Sequence, residues 1–229
     1  MQFWTLGVSA PRRAGEFGRR AEDAGWHGML VVDSQNLSGD SYVALTAAAL
    51  ATSNLGLGPG VTNSVTRHAA VTASAIASIQ KLSAGRAVLG IGRGDSALAH
   101  VGRAPARLGA FEAYLKNVQT YLRGGDVPFV DCGIDDAVAP DVEELELADT
   151  PSTSTISWLR QDPKVPVEVA ATGPKVIGIA ARHAERVMFT VGADVERLRW
   201  GIGTVSYTHL RAHETEADLV CRRVGEKKG

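Results

Sequence analysis

Short apolar runs alternate along this chain with longer stretches whose apolar residues recur every three or four positions, the pattern of strands each followed by a helix. Phe3 to Val8, closed by Ser9, Ala10 and Pro11, predicts a first strand and its loop. Arg13 to Ala24 predicts a helix with Phe17, Ala21 and Ala24 on its inner face and Gly25 as its stop. Met29 to Asp33 is an unbroken apolar run ending in an acid, as expected of a strand covered on both faces. Ser41 to Thr52, with Asp40 as N-cap, predicts the second helix, and Leu55 to Val61 the third strand. A third helix is expected from His68 to Leu82, burying Val71, Ala75, Ile79 and Leu82. Ala87 to Ile91 is the fourth strand, and the helix from Leu108 to Arg123 carries Phe111, Leu115, Val118 and Leu122 at helical spacing.

The rhythm breaks over residues 126–163, a turn-rich excursion containing Asp131, Asp135, Asp136, Asp141, Glu143, Glu144, Glu146 and Asp149. These acids lack the tight alternation of a calcium loop and read as a solvated surface, so no metal site is expected. Val165 to Ala171 then predicts a fifth strand, Thr172 to Ala184 a loop and helix, and Arg186 to Val191 a sixth strand. Strands joined through single helices run parallel, which makes the fold a parallel α/β architecture.

Composition narrows the function classes. The 229 residues are 45% hydrophobic and 21% charged, enough to bury a sizeable core, and the formal net charge of -1 provides no basic field for nucleic acid. Cys132 and Cys221 are too few and too far apart for a disulfide framework or zinc ribbon, and the N-terminus reads as neither signal peptide nor membrane span. The expectation is a cytoplasmic protein with no nucleic-acid or membrane partner.

In parallel α/β folds chemistry gathers where strands end and helix N-termini present free amides. The candidate positions are therefore Asp33 and Ser34, Gly60 to Asn63, Gly92 to Ser96, and Ala171 to Lys175. Asp33 could serve the site or cap the next turn. Asp95 stands beside Gly90, Gly92 and Gly94, which clear space around a single carboxylate. Thr172-Gly173-Pro174-Lys175 opens a helix and suits an anionic tail, while His68 reads as a helix cap. Gly92-Arg93-Gly94 lacks the full dinucleotide fingerprint and follows the fourth strand, which disfavours a nicotinamide-binding domain.

Taken together, Gly60-Val-Thr-Asn-Ser-Val-Thr-Arg-His68, the Ala-Val-Thr-Ala-Ser-Ala-Ile helix, Gly85-Arg-Ala-Val-Leu-Gly-Ile-Gly92 with Gly94-Asp95, and Ala171-Thr-Gly-Pro-Lys175 resemble the bacterial luciferase-like monooxygenase superfamily. The branch they resemble is that of the deazaflavin (F420)-dependent methylenetetrahydromethanopterin reductases. The resemblance implies a (β/α)8 TIM barrel, here truncated after about six βα units, with a coenzyme at its C-terminal mouth. It implies F420, or alternatively FMN, as cofactor and a small organic molecule as substrate. It also implies a homodimer in the full-length enzyme. Gly60-Val61 would be a non-prolyl cis peptide against the ring, flanked by Thr62, Asn63, Gly92 and Gly94; Thr172 to Lys175 would hold the phosphate. Asp33 and Ser34 would approach ring and substrate, and Asp95 would be an acid whose pKa is raised by burial.

The chain departs from the reductases where Leu6, Gly7 and Val8 replace a carboxylate, which weighs against a pterin substrate. Ala69 replaces a proline after the arginine-histidine pair, and related dehydrogenases carry histidine where Ser34 stands. Residues 1–204 are thus expected to form an incomplete barrel. Residues 205–229 resemble translated sequencing-adapter read-through, with His209, His213, Glu214 and Cys221 only superficially like a zinc set. A non-enzymatic alternative follows: an open six-stranded piece would be an inactive fragment with exposed strand edges.

Overall fold

The computed structural model describes residues 2–142, 150–159, 163–192 and 194–212, with side chains to residue 207. The acids Glu143, Glu144, Glu146 and Asp149, and His213 with the rest of the predicted tail, lie outside the described residues, as does the side chain of His209. The chain divides into two compact units, Met1–Val167 and a second beginning at Glu168.

In the first unit β1 (Trp4–Gly7), α1 (Pro11–Asp23), β2 (Gly28–Val31), α2 (Ser41–Ala51), β3 (Gly56–Pro59) and β4 (Thr62–Asn63) follow in order. They are succeeded by α3 (Ala69–Leu82), β5 (Leu89–Gly92), α4 (Ser96–Ala99) and α5 (Leu108–Leu122). β1, β2 and β3 pair in parallel with Leu6 opposite Leu30 and Leu30 opposite Gly58. β4 pairs in parallel with β5, and Leu57 also bridges Ala87 in the parallel sense. The second unit contains β6 (Val167–Ala171), α6 (Pro174–His183), β7 (Arg186–Phe189) and α7 (Val195–Ala212), with β6 parallel to β7. Six strand-helix repeats are therefore present, those of a partial (β/α)8 barrel.

Three expectations are corrected. The predicted third strand is two strands, because the chain turns at the cis peptide Gly60-Val61 and changes its hydrogen-bonding partner from β2 to β5. The stripe predicted for α3 is rotated: Val71 is 55% exposed and Leu82 47%, while Ala69, Ala73, Ile76, Ala77 and Ile79 are buried. In a helix this rich in alanine, several faces satisfy the spacing, and close packing selects the alanines together with the two isoleucines. Phe17 likewise lies outward on α1, where Ala14, Gly18 and Ala21 pack against α2. The stripe Phe111, Leu115, Val118 and Leu122 of α5 is buried as expected.

One half-buried arginine ties the back of the first unit together. Arg86 donates from Nη1 to the Leu55 carbonyl and Thr52 Oγ1, from Nη2 to the carbonyls of Ala49 and Thr52, and from Nε to that of Ser83. It thereby satisfies carbonyls left open at the ends of α2 and α3. Glu22 of α1 accepts the amides of Ser53, Asn54 and Leu55 in the same connection. Arg86→Met should cost about 2–4 kcal/mol in chemical denaturation, since five buried acceptors lose their donor together.

Candidate functional site

Three loops leave the C-terminal ends of β2, β4 and β5. Because these strands are parallel, the loops open on one face. The strands come close enough there to exclude side chains. A Cβ on Gly90 would lie 2.2 Å from the Pro59 carbonyl oxygen, and one on Gly58 2.3 Å from that of Val88. Gly90, read as clearing space around Asp95, thus joins Gly58 in letting β3 and β5 approach each other, immediately before the Gly60-Val61 peptide.

Beyond that peptide the sequence builds a tight turn. Asn63 Oδ1 accepts the amides of Val65 and Thr66 at 3.0 Å each, and its Nδ2 donates to Thr66 Oγ1 at 3.0 Å. The Asn63 side chain is therefore committed to the backbone turn instead of facing a cofactor. The turn delivers Arg67, whose Nη1 donates to Asp33 Oδ2 at 2.5 Å and whose Nη2 donates to Asp40 Oδ2 at 2.8 Å. The Asp33 side chain is 4% exposed and that of Arg67 18%, so a buried carboxylate meets a half-buried guanidinium.

Asp40 also caps α2, as expected, by accepting the Tyr42 and Val43 amides on Oδ1. The guanidinium lies 5.0 Å from the centroid of the Tyr42 ring, a cation-π distance. Against the effect of desolvation, the charge of Asp33 and the bonds to Asp33 and Asp40 raise the Arg67 pKa further. Desolvation opposes ionisation of Asp40, but its amide and Arg67 bonds prevail and lower its pKa.

Tyr114 of α5 completes the cluster: its hydroxyl donates to the Arg67 carbonyl at 3.0 Å and lies 2.6 Å from Thr72 Oγ1. Burial pushes the Tyr114 phenol up to about 12. Tyr42 is raised further, by burial and then by the nearby negative charge of Asp33. Its hydroxyl faces that of Thr62 without reaching hydrogen-bonding geometry. Ser41 Oγ, Tyr42 OH, Thr62 Oγ1 and Ser64 Oγ are all buried without a hydrogen-bond partner among the described residues. Each such group costs about 1–3 kcal/mol unless something pairs with it. The orphaned hydroxyls of Thr62 and Ser64 follow the half-buried Val61 along the chain and suit a planar ring with polar edge atoms, so these residues fit a flavin or deazaflavin.

Ser34 is buried and its Oγ lies 3.2 Å from Ser96 Oγ. Gln35 Nε2 donates to the Ala97 carbonyl at 2.9 Å and Asn36 Nδ2 to that of His100 at 3.3 Å, so the β2 loop clasps α4. Gly92 is buried and paired with Asn63. Gly94, at φ 83°, has Asn63 and Leu98 within 2.9 Å of where a Cβ would stand. Asp95 departs from expectation: it is exposed at the start of α4 and makes no side-chain cap bond. The burial that would make it a proton-holding acid is absent because α4 begins at the loop's outer edge.

In the second unit, Thr172, Pro174 and Lys175 are exposed and Gly173 is the N-cap of α6. The cap has no side-chain bond, and the residues around it are open to solvent, an arrangement that suits an anion. His68 is a cap, accepting the Ala70 amide on Nδ1 at 3.2 Å while its Nε2 lies 2.8 Å from the Cys132 carbonyl. Among the described residues no group of three or more His, Cys, Asp or Glu side chains is placed to hold a metal, and no helix is long and apolar enough to cross a membrane.

The family model described as luciferase-like monooxygenase matches residues 3–221. The chain belongs to the luciferase-like monooxygenase family. It is 43% identical over 81 residues to a 5,10-methylenetetrahydromethanopterin reductase of Methanolobus tindarius, an alignment covering 35% of this chain and 24% of that protein. The coenzyme F420-dependent tetrahydromethanopterin reductase of Methanopyrus kandleri superimposes with a TM-score of 0.73 at 22% identity, over 95% of this chain and 63% of that one. The oxygenating constituent of 3,6-diketocamphane monooxygenase of Pseudomonas putida, solved with FMN, gives 0.66 at 18% identity, over 94% and 64%. This chain thus spans less than two thirds of either solved relative.

Sequence reasoning passed over Arg67, Tyr42 and Tyr114. One signal was available: between Asp40 and Lys81, Arg67 is the only Asp, Glu, Lys or Arg. An isolated charge in so apolar a stretch requires a counter-ion. Gly90→Ala should cost about 1–3 kcal/mol by forcing Pro59 and the β3-β5 approach apart; a shifted denaturation midpoint with unchanged m-value is the expected reading.

Proposed function

We propose that this chain is the coenzyme-binding part of an F420-dependent oxidoreductase that moves a hydride between the deazaflavin and a small organic substrate. Its donor would be of the CH-OH or CH-NH type. The supporting observation is the 43% identity to the reductase, joined to a strand-end site whose orphaned hydroxyls fit a planar polar-edged ring. When bound, the deazaflavin supplies the carbon that gives or takes the hydride. The chain's own part is placement. Gly60 and Val61 present backbone and one short side chain to the ring, Thr62 and Ser64 offer hydroxyls to its edge, and Asp33 and Ser34 orient the substrate. Asp95, at the exposed rim, exchanges a proton once substrate covers it. The α6 start with Lys175 binds an anionic group.

The second reading is an FMN-dependent monooxygenase, supported by the likeness to the FMN-bound camphane enzyme's fold. Adding each coenzyme to the purified chain separates the two. Quenching of F420 fluorescence with no retained FMN is expected, whereas retained flavin absorbance and indifference to F420 would overturn the first reading. We further propose a cytoplasmic location and no nucleic-acid partner, given the near-neutral charge and few cysteines.

A homodimer is proposed through the outer faces of α2 and α3. Val43 and Leu50, two turns apart on α2, are 55% and 71% exposed, Val71 of α3 is 55% exposed, and α2 carries no charged side chain. Val43→Glu with Leu50→Glu should shift the sedimentation profile from dimer to monomer; an unchanged profile would remove this face from consideration.

A further inference from the structure

We propose that Arg67 is a positioning residue that locks Asp33 as a permanent carboxylate at the end of β2, so that this acid accepts hydrogen bonds and takes no part in proton transfer. The geometry carries the argument. Asp33 is 5% exposed, one of its oxygens is occupied by Arg67, and Arg67 is itself fixed on four sides. Its second nitrogen is held by Asp40, its face by the Tyr42 ring, its carbonyl by Tyr114, and its approach by the Asn63 turn.

A guanidinium so restrained cannot follow a proton-carrying Asp33, and a buried carboxylate beside a fixed cation has no reason to take up a proton. The charged and titratable groups facing Asp33 are Arg67 from the β4 exit, Asp40 and Tyr42 from the α2 side, and Tyr114 from α5. Both tyrosines are held neutral by burial, which leaves Arg67 as the cation beside Asp33. The remaining oxygen, Oδ1, accepts no hydrogen bond from a described residue and is the atom available to a donor on the ligand. Its use toward a ligand rests on the coenzyme-site reading above; the locking of Asp33 does not.

The test is the pH dependence of thermal stability in the full chain for Arg67→Met, Arg67→Lys, Asp33→Asn, Asp40→Asn and the double variant Arg67→Met with Asp33→Asn. Without its cation the buried Asp33 carboxylate is uncompensated, a penalty that protonation relieves, so stability is retained at low pH and lost as pH rises. The melting deficit of Arg67→Met relative to the native chain should therefore widen from about pH 5 to about pH 8, the range above the unperturbed carboxyl. Adding Asp33→Asn should abolish the widening, and Asp40→Asn alone should not produce it.

Equal deficits at both pH values, or a widening that survives Asp33→Asn, would overturn the proposal. Should Arg67→Met fail to fold at either pH, Arg67→Lys decides: a cation is kept and a flat deficit is expected, while a widening one counts against the lock. Riboflavin phosphate titration distinguishes the other failure. If Asp33→Asn binds this probe and F420 as tightly as the native chain while the melting results stand, the site reading fails and the lock survives.

Discussion

The pairing of buried Asp33 with Arg67 is the interaction on which the arrangement of this face depends. It joins the end of β2 to the loop after β4, and through Asp40 and Tyr42 it fixes how α2 starts. Removing Arg67 would leave the buried Asp33 carboxylate without its cation, a cost of about 3–5 kcal/mol. The guanidinium is held further by Asp40 and the Tyr42 ring, and the Arg67 carbonyl by Tyr114. Loops are ordinarily the mobile part of an α/β fold; here an ionic knot makes two of them as firmly placed as the strands they leave.

A second fastening sits at the opposite ends of the same helices. Arg86 closes the C-termini of α2 and α3, with Glu22 closing the chain just beyond α2. Each of these helices is therefore pinned by charge at its end near β3 and by a cap at its start, Asp40 for α2 and His68 for α3. The packing between them is left to alanine, serine and a few branched residues. Ordering of this kind explains how helices with few large side chains hold a site to a definite geometry.

Much of the fold was legible because periodicity and capping are local. Asp40 and His68 could be read as caps, and the α5 stripe was unambiguous because large residues recur against polar ones. The α3 stripe was misread because small residues satisfy several faces equally, and only tertiary packing chooses among them. The break after Pro59 needed the family likeness, since nothing in the alternation of Leu55 to Val61 marks a change of partner strand. The site was half legible: strand ends located Asp33 and Ser34, but their partners lie 34 and 62 positions further along. Asp95 shows the limit of reading chemistry from glycines, because glycine beside an acid signals close backbone approach as readily as a prepared cavity.

The clasp over α4 has a consequence for how such a site can change. Gln35 and Asn36 hold this helix by the carbonyls of Ala97 and His100, atoms that every amino acid supplies. Substitutions at Ala99 and His100, both exposed, therefore leave the grip intact while altering what the rim presents to an incoming molecule. The fold thus contains a surface on which selectivity can drift, in nature or in a mutant library, without renegotiating the scaffold beneath it.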